Sequence, residues 1–452
     1  MKLAYFSPLN PQKSGISDYS EALIPHLRKY YNIDLWVYGM KPNNPLLRGF
    51  NIIDYKNNKN IDKLREYDAV IYNIGNNPYF HAEIYDVFLK YPGVVILHDY
   101  VLYCLIVGYY LEFRKSREQL IKEFYYNYGE DGISSIKNIL RKRETPLHFR
   151  SPELYPLIRR VVDNAVGIIV HSESTKDLIV LQGYPDSNVV KINQINYVID
   201  NNKKTPEKYL FEMRSKYGVF YDDILVSSFG YIAPTKRNLE IIEAINDIVS
   251  VHGYTIKYLM VGEGNYVDGL LNDYIKKTGY IPINEFEGLL NCSDIIVNLR
   301  NPSMGETSAT LIRAMAAGKP CIVTDIGWFS ELPDDTVMKI SSDIRSEKKE
   351  LVNMLLQLIG DISMRSELGT RAKNFVLTYH DPEIIAAEIN NFLNQFILWQ
   401  NYNILNIYFK INSTRLNDLS LNKDKENKLS ELYLKLNSNR LKEIGLIDYV
   451  LH

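Results

Sequence analysis

A mostly apolar run, Ile295-Ile296-Val297-Asn298-Leu299, stops at a polar turn, Arg300-Asn301-Pro302-Ser303-Met304-Gly305. Helical periodicity follows from near Glu306, with Leu311, Ile312, Ala314, Met315 and Ala317 on the spacing of one face. Gly318 and Pro320 stop that helix before a β-type run, Cys321–Thr324. Strand, helix and strand in so short a span read as a right-handed crossover between parallel strands. In such a unit the turn lies at the carboxyl end of its strand, where open parallel sheets bind ligands and a helix amino terminus offers unpaired N–H groups to an anion. Gly305, Glu306, Thr307 and Ser308 sit there, with Thr310 and Arg313 on the same helical face and Arg300 at the strand end. Two guanidiniums, a carboxylate, hydroxyls and N–H groups on one rim suit a phosphorylated sugar.

The same alternation recurs along the chain. Strands are expected at Lys2–Ser7, Ile33–Val37, Ala69–Ile74, Val94–His98, Val166–His171 and Val189–Ile192. Helices are expected from Asp18 to Tyr31, opened by an Asp18/Glu21 capping box, near Tyr79–Lys90 and at Glu173–Gln182. Polar Asn193–Lys208 reads as an interdomain linker. Beyond it the spacing predicts strands at Ile224–Phe229 and Ile256–Val261 and helices at Arg237–Val251, Tyr266–Lys277 and Asn284–Asn291. The fold class is thus α/β, with two Rossmann-like, doubly wound domains at residues 1–200 and 206–380. A helical insertion fills 101–160, a helix at 381–400 is placed to return to the first domain, and 401–452 form a helical tail. Arg114, Lys115, Arg117, Lys122, Arg141, Lys142, Arg143, Arg159 and Arg160 make the insertion basic, which suits a solvated surface or a peripheral contact with an anionic membrane face.

With 452 residues the chain has room for two cores, and 52 basic against 54 acidic residues exclude a global attraction for nucleic acid. Cys104, Cys292 and Cys321 lie apart in apolar surroundings, as buried thiols in a reducing compartment do. No run reaches the roughly 18 apolar residues of a membrane span, and MKLAYFSPLNP lacks a signal-peptide core. The expected location is cytoplasmic, at most peripheral at the inner face of a membrane.

Further candidates lie at other strand ends. The loop Ser7–Ser17, with Lys13 and Gly15, feeds a helix start and can meet a phosphate or an acceptor. His98 and Asp99 end another strand at the rim facing the second domain. Lys236 and Arg237 open a helix after Phe229-Gly230, where the dipole disfavours cations unless an anion is present. No G-x-G-x-x-G dinucleotide fingerprint occurs, which argues against an oxidoreductase.

At these residues the sequence resembles the family 4 glycosyltransferases, retaining enzymes of the GT-B fold that bind a nucleotide sugar in a cleft between two Rossmann-like domains. The resemblance spans roughly Lys2–Leu398. Pro8–Ile16, containing Gly15, looks like the family's first loop, and His98 matches the histidine that touches the donor sugar. Gly230–Lys236 is similar to the phosphate-binding G-R-x-x-x-x-K, and Gly262-Glu263-Gly264 to the nucleotide loop. Gly305-Glu306 with Ala314–Pro320 resembles the helix that normally bears two glutamates. Three positions depart from the pattern: Tyr231 stands where the phosphate arginine is expected, Gly305 where the first glutamate is, and Arg313 where the ribose-holding second glutamate is. Arg237 or Arg300 is left to replace the arginine, and Arg313 to meet a phosphate or pair with Glu306.

The resulting expectation is a metal-independent, retaining glycosyltransferase that moves a hexose from a nucleoside diphosphate sugar to a saccharide or lipid-linked saccharide, in surface polysaccharide or glycoconjugate synthesis. No D-x-D metal motif is evident and no cofactor beyond the donor is implied. His98, Glu306 and Lys236 are the expected catalytic residues. Gly15, Gly230, Lys236, Arg237, Gly262, Glu263, Arg300, Gly305, Glu306, Thr307, Ser308 and Arg313 are expected to bind the donor, with Lys13, Asp18 and Asp99 on the acceptor side. The rivals are a sugar-nucleotide epimerase or phosphorylase on the same fold, and a catalytically silent partner of a transferase.

Overall fold

Strands that are apolar on both faces can be covered only by helices on both sides, and that is the arrangement found in the computed structural model. The structure describes residues 1–394 apart from 57, 143–144, 198–205 and 221; the expected tail at 401–452 lies outside the described residues. The first sheet has seven strands: β1 (Lys2–Phe6), β2 (Asn32–Val37), β3 (Asn51–Asp54), β4 (Ala69–Ile74), β5 (Val94–Leu97), β6 (Gly167–Val170) and β7 (Val189–Lys191). The second has six: β8 (Ile224–Phe229), β9 (Ile256–Val261), β10 (Ile275–Lys277), β11 (Ile295–Asn298), β12 (Cys321–Thr324) and β13 (Met338–Ile340). All pairings are parallel, in the orders 3-2-1-4-5-6-7 and 10-9-8-11-12-13. Each order reverses once, beside β1 and beside β8, and these switch points open a crevice at the carboxyl ends of the strands. This is the two-Rossmann, GT-B architecture.

Alternation divides the second sheet between two cores. Leu225, Phe229, Leu259, Val261, Ile296 and Val323 face one side, while Val226, Tyr258, Met260, Ile295, Val297 and Ile322 face the other. In the insertion, the helix Arg117–Arg141 is interrupted at Gly129, whose φ of 65° and ψ of −146° leave the helical region. No helix among the described residues is long and apolar enough to cross a membrane. The chain is helical again from residue 382, and Glu383 there pairs with His26 (2.6 Å) and Lys29 (2.5 Å) of the first half.

Four local expectations need correction. The helix expected at Tyr266–Lys277 is a single 3-10 turn, Asp268–Leu270, followed by β10. Asn272 Oδ1 there accepts from the Tyr274 and Ile275 N–H groups (2.9 Å each), forming a turn that sends the chain into register with β9. The last two residues of the supposed linker Asn193–Lys208 already belong to a further helix, Glu207–Lys216, tied by Arg214 to the Cys292 carbonyl (2.9 Å) and Asp294 (3.1 Å). The helix after β11 begins at Ala309, three residues later than expected, because Ser308 caps it. The first helix runs Gly15–Leu27 with Ser14 as its cap, so Asp18 is inside the first turn, not before it. Glu21 is buried and accepts from Asn10 N–H (2.6 Å) and Asn10 Nδ2 (2.7 Å), fixing the loop after β1 in place of closing a capping box.

Ser14→Ala is therefore expected to lower stability by about 1 kcal/mol through loss of the cap, whereas Asp18→Ala leaves the cap intact. Denaturant unfolding of both variants checks the order.

Candidate active site

The cleft between the two sheets is a cavity of about 440 Å³, walled by Asn10, Lys13, Ser14, Gly15 and Asp18 from the first half and by Gly230, Tyr231, Gly262, Glu263, Tyr280 and Phe286 from the second. Backbone geometry shapes the second wall. The Gly230 N–H donates to the Val261 carbonyl (3.0 Å) and the Ile232 N–H to the Glu263 carbonyl (2.6 Å), so the loops after β8 and β9 lie against each other. A Cβ on Gly262 would fall 1.9 Å from the Gly230 carbonyl oxygen, which makes glycine obligatory there.

The two halves touch directly. Tyr100 and Val101 N–H groups both donate to the Met304 carbonyl (3.0 Å each), and the Thr175 hydroxyl donates to the Gly305 carbonyl (3.0 Å). Gly305 has φ +76°, and a Cβ on it would stand 2.3 Å from Tyr100 Cβ. The Thr307 hydroxyl reaches Gln194 Oε1 (2.8 Å), and Glu331 accepts from the Glu173 and Ser174 N–H groups (2.9 and 2.8 Å) at the start of the helix Glu173–Leu181. Lys13 Nζ lies 3.9 Å from the Tyr280 ring centroid, across the cleft mouth.

The charged residues are distributed differently from the sequence expectation. Arg300 is 3 % exposed; its Nε donates to Glu306 Oε1 (2.9 Å), while its Nη1 donates to Asn298 Oδ1 (3.0 Å) and the Leu299 carbonyl (2.7 Å). Burial lowers its pKa, and Glu306 opposes that effect. The other oxygen of Glu306 accepts from the Met304 N–H (2.7 Å), so this carboxylate staples the loop that carries Gly305. Arg313 points to the first half, 3.4 Å from Asp18, 3.7 Å from Glu287 and 4.5 Å from the Tyr197 ring; it does not pair with Glu306. Arg237 is left-handed (φ 55°) and bound by Glu240 (2.8 Å) and the buried Glu347 (2.5 Å). These carboxylates offset the Arg237 charge at the helix start. Lys236 forms no ion pair among the described residues and sits on the turn Pro234–Lys236, where the Thr235 carbonyl accepts from Asn301 N–H (3.0 Å). Ser308 is 3 % exposed, capping Leu311 N–H (3.3 Å) and accepting from Asn298 Nδ2 (3.1 Å), so it turns inward from the rim.

His98 is also withdrawn from the cleft. It is 7 % exposed, its Nε2 lies 3.0 Å from Asn73 Oδ1, and Tyr19 and His171 pack on its ring at 4.8 and 5.2 Å. Burial, then the neighbouring His171 and His81, push its pKa well down, leaving it neutral. Asp99 occupies the interface in its place. Its Oδ2 accepts from Asn76 N–H (2.8 Å), while burial and then the charge of Glu306 push its pKa up to about 7.

Tyr280, Phe286, Glu287 and Glu331 escaped the sequence reading. Tyr280 lies in the loop after β10 and Phe286 in the helix Ile283–Cys292 that follows, and taking 266–277 for helix hid the strand end that would have marked this loop. Glu287 and Glu331 carry no sequence signal of their partners.

The family described as Glycosyl transferases group 1 matches residues 224–361, which include β8–β13 and the Gly305 loop. That match covers the second sheet, and the fold of the chain is GT-B. Among solved structures, Anabaena HepE in complex with UDP and glucose superposes with a TM-score of 0.61 at 16% identity, covering 87% of this chain and 99% of that one. Sucrose-phosphate synthase from Thermosynechococcus elongatus gives 0.56 at 15% identity, over 88% and 100%. WaaG, a glycosyltransferase involved in lipopolysaccharide biosynthesis, gives 0.56 at 13%, over 85% and 98%. At these identities the likeness speaks for the fold alone. No curated protein matches the sequence.

Asp99 gives the protein a measurable pH signature. Its carboxyl titrates at about 3.9 in an unfolded chain and at about 7 when folded. The folded state therefore holds a proton that the unfolded state releases; this contribution is full below about pH 4 and is lost as pH rises through about 7. Asp99→Asn removes the loss, so its Tm relative to the parent is expected to rise between these pH values. A parallel pair of Tm curves would exclude the shift.

Proposed function

We propose that the transferase moves a hexose, with retention, from a nucleoside diphosphate sugar to a saccharide or lipid-linked saccharide, in surface polysaccharide or glycoconjugate synthesis. One observation carries this reading: of the cations at the second half's rim, Arg237, Arg300 and Arg313 are each held by carboxylates, whereas Lys236 pairs with none among the described residues. A diphosphate leaving group needs such a cation, worth most where water is excluded. Gly230 and Gly262 let backbone approach the same site, and the aromatic rings of Tyr231, Tyr280 and Phe286 offer apolar surface to a base or sugar.

In the reaction the bond between the sugar anomeric carbon and the diphosphate oxygen breaks. The acceptor oxygen bonds that carbon on the same face, and its proton passes to the leaving diphosphate. Lys236 stabilises the charge that develops there. Glu306 and Arg300 act at one remove, holding the Gly305 loop in shape, and Asp99 stands at the acceptor side with a proton it retains near neutral pH. No separate protein nucleophile or cofactor takes part.

UDP is the first nucleotide to test, since HepE was crystallised with UDP and UDP-glucose. A Tm rise with UDP but not GDP, ADP or dTDP, indifferent to EDTA, supports the reading. Lys236→Ala is expected to lower kcat/KM roughly 10²-fold, the scale of one lost stabilising donor, with the circular dichroism spectrum unchanged. An unchanged rate removes Lys236 from the site. A silent partner subunit is favoured by one feature, the internal pairing of Glu306, Arg300 and Arg313; it requires nucleotide-sugar binding without any transfer or hydrolysis.

A further inference from the structure

The loop that follows β9 forms part of the cleft wall through Gly262 and Glu263. Its front is fixed by close backbone approach to the segment after β8. A Cβ on Gly264, at φ +140°, would fall 2.1 Å from the Ile232 carbonyl oxygen, just as one on Gly262 would meet the Gly230 carbonyl. Glycines permit that approach but supply no side chain to hold the loop from behind. Lys277 does so. It ends β10 in register with Met260 of β9, two residues before the loop begins. Its Nζ donates to the Gly264 carbonyl (2.9 Å) and pairs with Asp268, so one ammonium joins the two ends of the segment 264–268.

That segment reaches the rest of the cleft in two directions. On one side the Ile232 N–H donates to the Glu263 carbonyl (2.6 Å). On the other, the Tyr266 hydroxyl accepts from the Leu239 N–H (3.3 Å), in the first turn of the helix Asn238–His252 that follows Lys236 and Arg237. Lys277 itself is half-buried and is not among the described residues that wall the cavity. Alternation along β10 puts it on the face of Ile275, which packs with Ile232 and Val267, and turns Lys276 to the opposite face. An ammonium carries three donors, so it can serve a carbonyl and a carboxylate at once, and its charge strengthens both bonds.

We infer that Lys277 is a positioning residue of the cleft. It holds the Gly262–Gly264 loop and, through Tyr266, the helix start beside Lys236 in the form that receives the nucleoside diphosphate. The inference rests on the reading of the cleft as a donor site.

The test compares Lys277→Met, Lys277→Arg and Lys276→Met in the full chain, the last being an equal loss of charge one residue away. Hydrogen exchange of the Gly262–Asp268 amides is followed without ligand, and UDP affinity is measured by titration. Lys277→Met is expected to speed exchange in this segment, with the amides of β1 exchanging as in the parent, and to weaken UDP binding about tenfold, the scale of one lost charge-assisted hydrogen bond. Lys277→Arg is expected to recover most of both, and Lys276→Met to match the parent. Unchanged exchange in Lys277→Met overturns the inference, and so does faster exchange with UDP affinity intact, which would leave Lys277 a purely structural role. Equal weakening in Lys276→Met overturns it in favour of diffuse electrostatics. Faster exchange in Lys277→Met, with a parent that binds none of UDP, GDP, ADP and dTDP, supports the hold of Lys277 on the loop and rejects the donor reading.

Discussion

One carbonyl oxygen, that of Met304, receives the N–H groups of both Tyr100 and Val101, and the active cleft depends on this contact between the halves. It brings the Gly305 loop against the end of β5 and leaves no space for a side chain at Gly305. Everything around it serves to hold that loop in one shape. Glu306 bridges Arg300 and the Met304 N–H, Ser308 caps the following helix, and Thr307 reaches Gln194 across the interface. Residues of the rim read from the sequence as a surface for a sugar phosphate thus also brace a close backbone approach.

That distinction explains how the charges are used. A guanidinium as buried as Arg300 must be compensated inside the protein, because an unpaired charge in such a place is far too costly. Glu306 does so, and Glu347 does the same for Arg237. A compensated charge gains little from meeting a phosphate. The cation suited to a transient anion is one that water can solvate when the site is empty, and Lys236, partly exposed and without an acidic partner among the described residues, meets that condition.

The long apolar strands were legible from residue type alone: Ala69–Ile74, Ile224–Phe229, Ile256–Val261 and Cys321–Thr324 have the ends read from the sequence. The outer strands β3, β10 and β13 were not, because three or four residues at a sheet edge carry too little alternation to separate them from a loop or a helix. At the site, the sequence pointed to the right strand ends, since glycines and charges cluster there. It could not assign their partners. Arg237 meets Glu347 from 110 positions away, and Arg313 meets Asp18 from 295. Such pairings are properties of the folded topology, and no local spacing encodes them.

The helix beginning at Glu173 has two caps of different origin: the hydroxyl of its own Ser172 serves Thr175 N–H, while Glu331 of the opposite half serves Glu173 and Ser174. Any parting of the halves removes the second cap and keeps the first. The two freed N–H groups would then face the widening gap, where water replaces the carboxylate without leaving a buried orphan. The start of this helix is thus shared between the halves: one cap is local to its own sequence, and the other belongs to the interface.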